Sequence, residues 1–177
     1  MHMNEFKEIS PDMIRRNPFQ MIGKEWMLIT AGDENNVNTM TASWGGLGVM
    51  YGKNVVFVVV RPQRYTKEFL DREDTFSLSF LDKEYKDTLN YLGSVSGRTE
   101  DKITKSGLTL DQFNNTPFFL EANNVLICKK LYVQQMNGDS ILEERFKSTF
   151  YPNDDYHYLY IAEVTNAFKS VNKKTDQ

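Results

Sequence analysis

The most constraining feature of the sequence is a nearly unbroken run of β-branched residues in its first half. Residues 54–60 read Asn-Val-Val-Phe-Val-Val-Val, and Arg61 and Pro62 follow directly. Valine and phenylalanine favour strands, and a continuous apolar run of this length is typical of a strand buried on both faces. We therefore expect a buried strand that ends at Arg61.

Five further segments have strand patterns. Residues 75–81 alternate large apolar side chains with threonine or serine, which predicts a half-buried strand. Extended chain is also predicted for residues 26–30, 38–44, 125–135 and 156–168. In the last segment, alternate positions place four apolar side chains on one face: Tyr158, Tyr160, Ala162 and Val164.

Short helices are predicted between these strands. Apolar spacing indicates helices over residues 66–72 and 83–92, the second stopped by Gly93. A helical turn over residues 101–105 is closed by Gly107, and residues 141–145 are weakly helical. Residues 32–36 form a turn cluster, and the glycines at 45, 46 and 48 indicate close packing or unusual dihedrals.

About six strands with short interposed helices indicate a mainly β, α+β fold that is predominantly antiparallel. A closed or split β-barrel is the expected architecture, because closure removes exposed sheet edges. The length of 177 residues suits one domain spanning residues 1–177, and the chain has no internal repeat or linker-like tract.

Composition limits the function classes. With 21 Lys plus Arg against 24 Asp plus Glu, the net charge of −3 argues against general nucleic-acid binding, which depends on neutralising phosphates. The single cysteine, Cys128, allows no intrachain disulfide and lies in an apolar segment, so we expect an inert buried thiol. No signal-peptide pattern opens the chain, and no apolar run is long enough to span a bilayer. We expect no membrane association and a cytoplasmic location.

Residues 38–44, Asn-Thr-Met-Thr-Ala-Ser-Trp, are rich in small side chains. Small residues let a flat heteroaromatic ligand approach the backbone N–H and C=O groups, and Trp44 adds a large apolar plane. The alternative is an ordinary strand that enters a glycine-rich turn.

Two other segments could bind a phosphate. Arg61 and Arg64 flank a strand-to-helix connection, beside the Thr66 hydroxyl and the free N–H groups at the start of the next helix. Residues 96–102 form a glycine-containing loop that leads into a helical turn with Lys102. The alternatives are solvated surface arginines with Thr66 as a helix cap, and a surface loop of mixed charge.

His157 follows an acidic turn at the start of the last strand. It is a candidate ligand contact or acid/base, or else a hydrogen-bonded structural histidine. The sequence has no Cys/His cluster with metal spacing, no nucleophile elbow, no phosphate-binding P-loop and no dinucleotide fingerprint.

Taken together and in order, these segments resemble the flavin-reductase-like family, which includes the flavoredoxins. The resemblance runs over residues 26–164, and its most specific pieces are residues 38–44, 61–69 and 96–109. It implies an FMN-binding split β-barrel that forms a homodimer with FMN near the interface.

The resemblance also assigns roles to individual residues. It places the flavin ring against the backbone of Met40, Thr41, Ala42 and Ser43, with Asn38 and Trp44 nearby. It places the phosphate near five residues: Arg61, Arg64, Tyr65, Thr66 and Lys102. His157 borders the flavin pocket in this comparison.

The implied activity is an NAD(P)H-dependent flavin oxidoreductase, in which hydride passes from nicotinamide to FMN and electrons then pass to a flavin, iron, oxygen or protein acceptor. Such chemistry is carried by the flavin and needs no catalytic side chain. Two rival interpretations are a non-enzymatic FMN-binding electron carrier and an anion- or nucleotide-binding barrel without flavin.

Overall fold

The computed structural model describes residues 5–172; the first four and last five residues of the chain lie outside it. Ten strands and five helices follow one another along the chain, with single 3₁₀ or π turns between some of them. The strands are β1 (Phe6–Ile9), β2 (Met27–Gly32), β3 (Val37–Ala42), β4 (Gly45–Met50), β5 (Lys53–Val60), β6 (Thr75–Phe80), β7 (Leu110–Phe113), β8 (Thr116–Phe119), β9 (Asn124–Gln135) and β10 (Tyr158–Ser170). The helices are α1 (Pro18–Gln20), α2 (Tyr65–Arg72), α3 (Lys86–Ser94), α4 (Lys102–Ser106) and α5 (Glu144–Phe150).

Eight strands form one antiparallel sheet in the order β3-β2-β6-β9-β10-β5-β4, with β1 paired to the end of β10. The long strand β10 pairs with β9 on one side and with β5 on the other, and two register shifts in its pairing with β9 bend it. Strands β7 and β8 form a separate hairpin.

The sheet curls into a barrel that stays open between β3 and β4. These strands lie at the two ends of the sheet order, yet only Ser43 and Trp44 connect them along the chain. Three extended residue steps span at most about 11 Å, so the two edges meet at this connection. The opening of the barrel therefore lies where the sequence carries its small-residue segment.

The barrel interior holds the main apolar core. The inward side chains of the β strands meet there, and Tyr160 and Phe76 are among its largest fully buried members. Helix α2 contributes Phe69 and Leu70 to this core and packs beside β2 and β3. The four alternate residues of β10 predicted to share a face all pack in or against this cluster.

The predominantly antiparallel, mainly β architecture is confirmed, but the predicted number of strands is too low. Strands β1, β4, β7 and β8 were not expected, because three of them have only four residues each and β4 contains three glycines. Two of these glycines, Gly45 and Gly46, serve close packing against β5, since a Cβ on Gly46 would lie 2.2 Å from the Phe57 ring, whereas Gly48 has open space around it.

The burial predicted for two strands is wrong, and each has the burial expected of the other. Strand β6, predicted half-buried, is covered on its polar face too, since Ser77 and Ser79 have no exposed surface. Strand β8 provides that cover: the Ser77 hydroxyl donates to Pro117 O at 2.6 Å. Strand β5, predicted buried on both faces, leaves Phe57 44% exposed.

The helix predictions are confirmed at α2 and at α4, where Asp101 caps the first turn and Gly107 closes the last at φ +73°. Gly93 does not stop α3, which runs on to Ser94; Gly93 instead lets the helix approach Thr41 closely. The helix expected over residues 141–145 lies further along, at α5. Within residues 5–172, no helix is long and apolar enough to cross a membrane.

Candidate functional site

Strand β3 forms one wall of a cleft at the opening of the barrel. In the described part of the chain it pairs with β2 alone, so the backbone groups of its other edge have no strand partner. Its side chains alternate, with Met40 packed into the core and the Thr41 hydroxyl donating to Leu89 O of α3 at 2.5 Å. An edge of this kind offers backbone donors and acceptors to a ligand.

Two cations, the buried Lys102 and the half-buried Arg64, line one end of the cleft. Lys102 is 3% exposed, and its ammonium donates to the carbonyl oxygens of Leu92 and Val95, each at 2.9 Å. The guanidinium of Arg64 donates to Gly93 O at 2.6 Å. An ammonium has three N–H donors and a guanidinium five, so both groups keep donors for a ligand.

The two cations repel each other without an acidic partner to offset the repulsion. Burial and the charge of Arg64 lower the pKa of Lys102 to about 8, and burial and the charge of Arg61 lower the pKa of Arg64. Within residues 5–172 neither Arg64 nor Lys102 forms an ion pair. Burying positive charge without a counter-charge is costly, so this end of the cleft favours an anion.

The start of helix α2 completes this anion pocket. The Asn38 amide donates to the Thr66 hydroxyl at 2.9 Å, which leaves the Thr66 proton free to donate. Thr66 does not cap the helix, since Arg64 occupies the N-cap position. The N–H groups of Tyr65 and Thr66 have no acceptor within the helix and form the positive end of its dipole. The pocket has a volume of about 300 Å³.

Arg61 lies between the anion pocket and the rest of the cleft, and it already has partners. Its guanidinium forms an ion pair with Asp155 and donates to Phe150 O at 2.6 Å. Gln63 donates to the same Asp155 oxygen at 2.7 Å. The bonds from Gln63 and Arg61 lower the pKa of Asp155. Arg61 therefore holds the segment between α5 and β10 against the cleft.

The other end of the cleft is aromatic. The ring of Trp44 lies 5.1 Å from the ring of Phe150, edge to face, and 5.1 Å from the ring of His157. Trp44 is 41% exposed although it is a large apolar side chain. Together with β3 these rings border a pocket of about 190 Å³ that suits a flat apolar group.

His157 is neutral at physiological pH. Its Nδ1 lies 2.8 Å from the hydroxyl of Tyr151, and both side chains are buried. Burial and the charge of Arg61 lower the pKa of His157 to about 4. One ring nitrogen is thus engaged by Tyr151, and Nε2 is the nitrogen available to a ligand in the aromatic pocket.

The two pockets are continuous, since both are lined by Met40, Arg61 and Arg64. The structure brings all twelve residues selected from the sequence into this one cleft, and their role in ligand binding stays a prediction. The aromatic pocket is lined by eight of them, namely Met40, Thr41, Ala42, Ser43, Trp44, Arg61, Arg64 and His157. The anion pocket adds the other four, namely Asn38, Tyr65, Thr66 and Lys102.

Sequence reasoning missed Phe150 and Tyr151, which meet Trp44 and His157 in the aromatic half. The available signal was the aromatic pair itself, which stands directly before Pro152. It was missed because the helix was predicted over residues 141–145, whereas α5 runs to Phe150. It also missed the pocket residues after α3, including Val95 and Gly97. Val95 carries no chemical motif, and its contribution is a backbone carbonyl.

An open antiparallel barrel carries an anion pocket joined to an aromatic pocket, an arrangement that suits an elongated aromatic phosphate. The sequence profile of the "Flavin reductase like domain" family matches residues 20–176. The chain therefore belongs to the flavin reductase-like family, as the resemblance in the sequence indicated. Family membership supports a flavin-related oxidoreductase function. No protein with curated annotation matches the chain in sequence.

Solved structures with the same fold agree with the family. The flavoredoxin of Desulfovibrio vulgaris (Miyazaki F) is 16% identical, with a TM-score of 0.63 over 96% of this chain and 97% of its own. An FMN-binding domain of flavin reductase-like enzymes from Shewanella baltica OS155 is 18% identical, with a TM-score of 0.67 over 93% and 76%. An NADH:FAD oxidoreductase from Streptomyces globisporus C-1027 is 15% identical, with a TM-score of 0.62 over 85% and 78%. At these identities the likeness establishes the split-barrel fold.

Proposed function

We propose that this protein binds FMN in the cleft at the barrel opening and is an NAD(P)H-dependent flavin oxidoreductase. The observation that carries the proposal is the pair of cations formed by the half-buried Arg64 and the buried Lys102, which have no acidic partner in the described residues. Both line the anion pocket, and Arg64 also lines the adjoining pocket that contains Trp44. A flavin mononucleotide has the matching shape, with a terminal phosphate at one end and a flat ring at the other.

The chain would hold the two ends of FMN by different means. Arg64, Lys102 and Thr66 would donate hydrogen bonds to the phosphate, aided by the free N–H groups at the start of α2. The unpaired edge of β3 would bind the polar side of the ring, because its backbone N–H and C=O groups need partners. Trp44 and His157 would border the ring, and Arg61 would keep Phe150 in place beside them.

When bound, FMN supplies the acceptor for hydride from a nicotinamide donor, and the protein supplies orientation and exclusion of water. The neutral state of His157 suits this task, since an uncharged Nε2 can accept or donate a hydrogen bond without placing a charge against the ring. The family includes reductases, and a structural neighbour is named an NADH:FAD oxidoreductase, which supports a nicotinamide donor.

A homodimer, with FMN near the interface, is part of the proposal. Phe57, Ile161 and Tyr132 stand side by side on three neighbouring strands, directly paired in register. Phe57 is 44% exposed and Tyr132 38%. An exposed apolar row with two aromatic side chains on the outside of a barrel is typical of a protein interface, and Trp44 lies at the edge of the same sheet region.

The direct test is anaerobic mixing of FMN-loaded protein with NADH and, separately, with NADPH. We expect the flavin absorbance near 450 nm, roughly the wavelength of an oxidised flavin, to bleach with at least one nicotinamide. Failure of both, with normal bleaching by dithionite, would establish the rival interpretation of an electron carrier. A preparation that gains no flavin absorbance on addition of FMN would instead identify a barrel without flavin.

A further inference from the structure

One side of the anion pocket is bordered by a tight turn at residues 96–99, of which Ser96 and Gly97 line the pocket. The N–H of Thr99 donates to Ser96 O at 3.1 Å, and the Thr99 hydroxyl donates to the same oxygen at 2.9 Å. The N–H of Arg98 donates to the Ser96 hydroxyl at 3.2 Å. Three hydrogen bonds within four residues fix the shape of this turn.

Gly97 fills the gap between strand β3 and helix α2. A Cβ at Gly97 would lie 2.3 Å from Oδ1 of Asn38 and 3.2 Å from Cδ1 of Tyr65. The backbone of the turn therefore packs tightly against one residue of each element. With Gly97 and Tyr65 both lining the pocket, this packing forms a wall on that side of it.

Arg98 fastens the turn to helix α2 from the outside. Its guanidinium forms an ion pair with Glu68, donates to Gln63 O at 3.2 Å and lies 4.7 Å from the centre of the Tyr65 ring. We call these contacts the Arg98 latch. On the other side of the turn, Lys102 holds Val95 O, so both ends of the segment are fixed.

We propose that the Arg98 latch makes this site selective for a flavin mononucleotide over a flavin dinucleotide. The inference rests on the proposed function and identifies which flavin the site accepts. A monophosphate ends inside the pocket, next to Arg64 and Lys102. A dinucleotide has to carry a second phosphate and an adenosine past the wall formed by Gly97 and Tyr65. Structural neighbours named for FMN and for FAD show that the fold is compatible with either flavin.

The charge of Arg98 does not by itself make a second phosphate site. Its guanidinium is already paired with Glu68, and a ligand phosphate would have to displace that carboxylate and break the stack on Tyr65. Specificity arises here from a tightly packed wall that disfavours the larger ligand rather than from an extra contact to the smaller one.

The test is titration of the purified protein with FMN and with FAD, followed by flavin absorbance and fluorescence, in the wild type and three variants. Arg98→Ala removes the latch, and Glu68→Gln removes its ion pair but keeps the arginine. Lys105→Ala, in the following helix α4, is the matched control, since it removes one positive charge and an ion pair with Glu100. Circular dichroism confirms that each variant keeps its fold.

We expect the wild type to bind FMN more tightly than FAD. Arg98→Ala is expected to reduce the ratio of the FAD dissociation constant to the FMN dissociation constant by about tenfold or more. Glu68→Gln shifts the ratio in the same direction by less, and Lys105→Ala leaves it unchanged. Equal affinity for both flavins in the wild type, an unchanged ratio in Arg98→Ala, or a selective loss of FAD in that variant overturns the inference while flavin binding stands. A wild type that binds neither flavin overturns the proposed function and the inference with it.

Discussion

Arg61 and Asp155 form an ion pair that joins the end of strand β5 to the approach of strand β10. The same guanidinium donates to Phe150 O. Both of these contacts bind Arg61 to the segment that contributes Phe150 to the aromatic pocket. Arg64, three residues later, has no acidic partner in the described residues and faces the anion pocket. Two arginines that look equivalent in the sequence therefore have different surroundings, and their substitutions are expected to act differently.

Replacing Arg64 by alanine is expected to weaken FMN binding by about 1.5–3 kcal/mol, the range of a hydrogen bond to a charged group. The loss concerns the phosphate, so riboflavin, which has the ring without the phosphate, is expected to bind the variant and the wild type equally. Titration calorimetry with both flavins measures the effect. Unchanged FMN affinity in the variant would remove Arg64 from the site.

Arg61→Ala is the comparison that separates the two arginines. Without Arg61 the segment that holds Phe150 loses its ion pair, so we expect FMN and riboflavin to weaken by a similar factor. The ratio of the two affinities is then close to that of the wild type. A loss restricted to FMN would mean that Arg61 leaves Asp155 and binds the phosphate directly.

FMN affinity is expected to fall as the pH rises above about 8, the pKa that burial and Arg64 give to Lys102 in the free protein. Below that pH the ammonium is charged and attracts the phosphate. Above it, binding must first restore the proton, so affinity falls by up to about tenfold per pH unit. Fluorescence titrations of FMN between pH 7 and 9.5, spanning roughly that transition, measure the slope.

Lys102→Met is the control for this pH dependence, because methionine keeps much of the buried stem but cannot titrate. Its FMN affinity is expected to be lower than that of the wild type and flat over the same pH range. Riboflavin binding is expected to be flat for both proteins. A wild-type slope that persists in Lys102→Met would assign the titration to another group.

Much of this cleft could be predicted because its chemistry is local in sequence. The small-residue strand, the arginine pair and the loop with Lys102 each carry their own pattern. What no local pattern carries is the ion pair between Arg61 and Asp155, which joins residues 94 positions apart. The distinction between the two arginines therefore depends on tertiary contacts.

The fold was predictable where burial is decided within a strand and not where another element decides it. Residues of β6 alternate apolar and polar, yet the hairpin strand β8 covers the polar face and satisfies the Ser77 hydroxyl. Residues of β5 are almost all apolar, yet Phe57, which packs against Gly46 of β4, stays 44% exposed. The sequence pattern of a strand indicates how apolar each of its faces is. Whether a face is buried depends on the elements that pack against it, which the pattern of that strand does not contain.

Stability is expected to fall as the pH drops from about 6.5 towards 4, because of His157. Its pKa is about 4 in the folded protein, lowered by burial and Arg61 from an ordinary value of 6.5. Between these values the unfolded chain binds a proton and the folded protein does not, so acid favours unfolding. Urea unfolding at a series of pH values is expected to show an acid loss attributable to this residue of about 1–3 kcal/mol.

His157→Gln isolates that contribution, since glutamine keeps a polar group near Tyr151 but has no proton to gain in this range. At about pH 7 the variant is expected to be less stable than the wild type, because the wild-type histidine is uncharged there and bonded to Tyr151. The variant is also expected to lose less stability on acidification. Equal acid slopes for the two proteins would show that other groups, such as the paired Asp155, account for the acid sensitivity.

Replacing Phe57 by glutamate is expected to convert a dimer into a monomer. Phe57, Ile161 and Tyr132 form one row across strands β5, β10 and β9, with Phe57 at one end. A charge buried in this row against a second copy would have no compensating partner. Sedimentation equilibrium is expected to give twice the chain mass for the wild type and the chain mass for Phe57→Glu. Val171→Glu introduces the same charge at an exposed apolar residue just beyond the far end of β10 and is expected to stay dimeric. Trp44 lies near this row, at the barrel opening, so FMN affinity is expected to fall when the dimer is lost. A wild type that sediments as a monomer would contradict the dimer and would mean that a single chain forms the whole site.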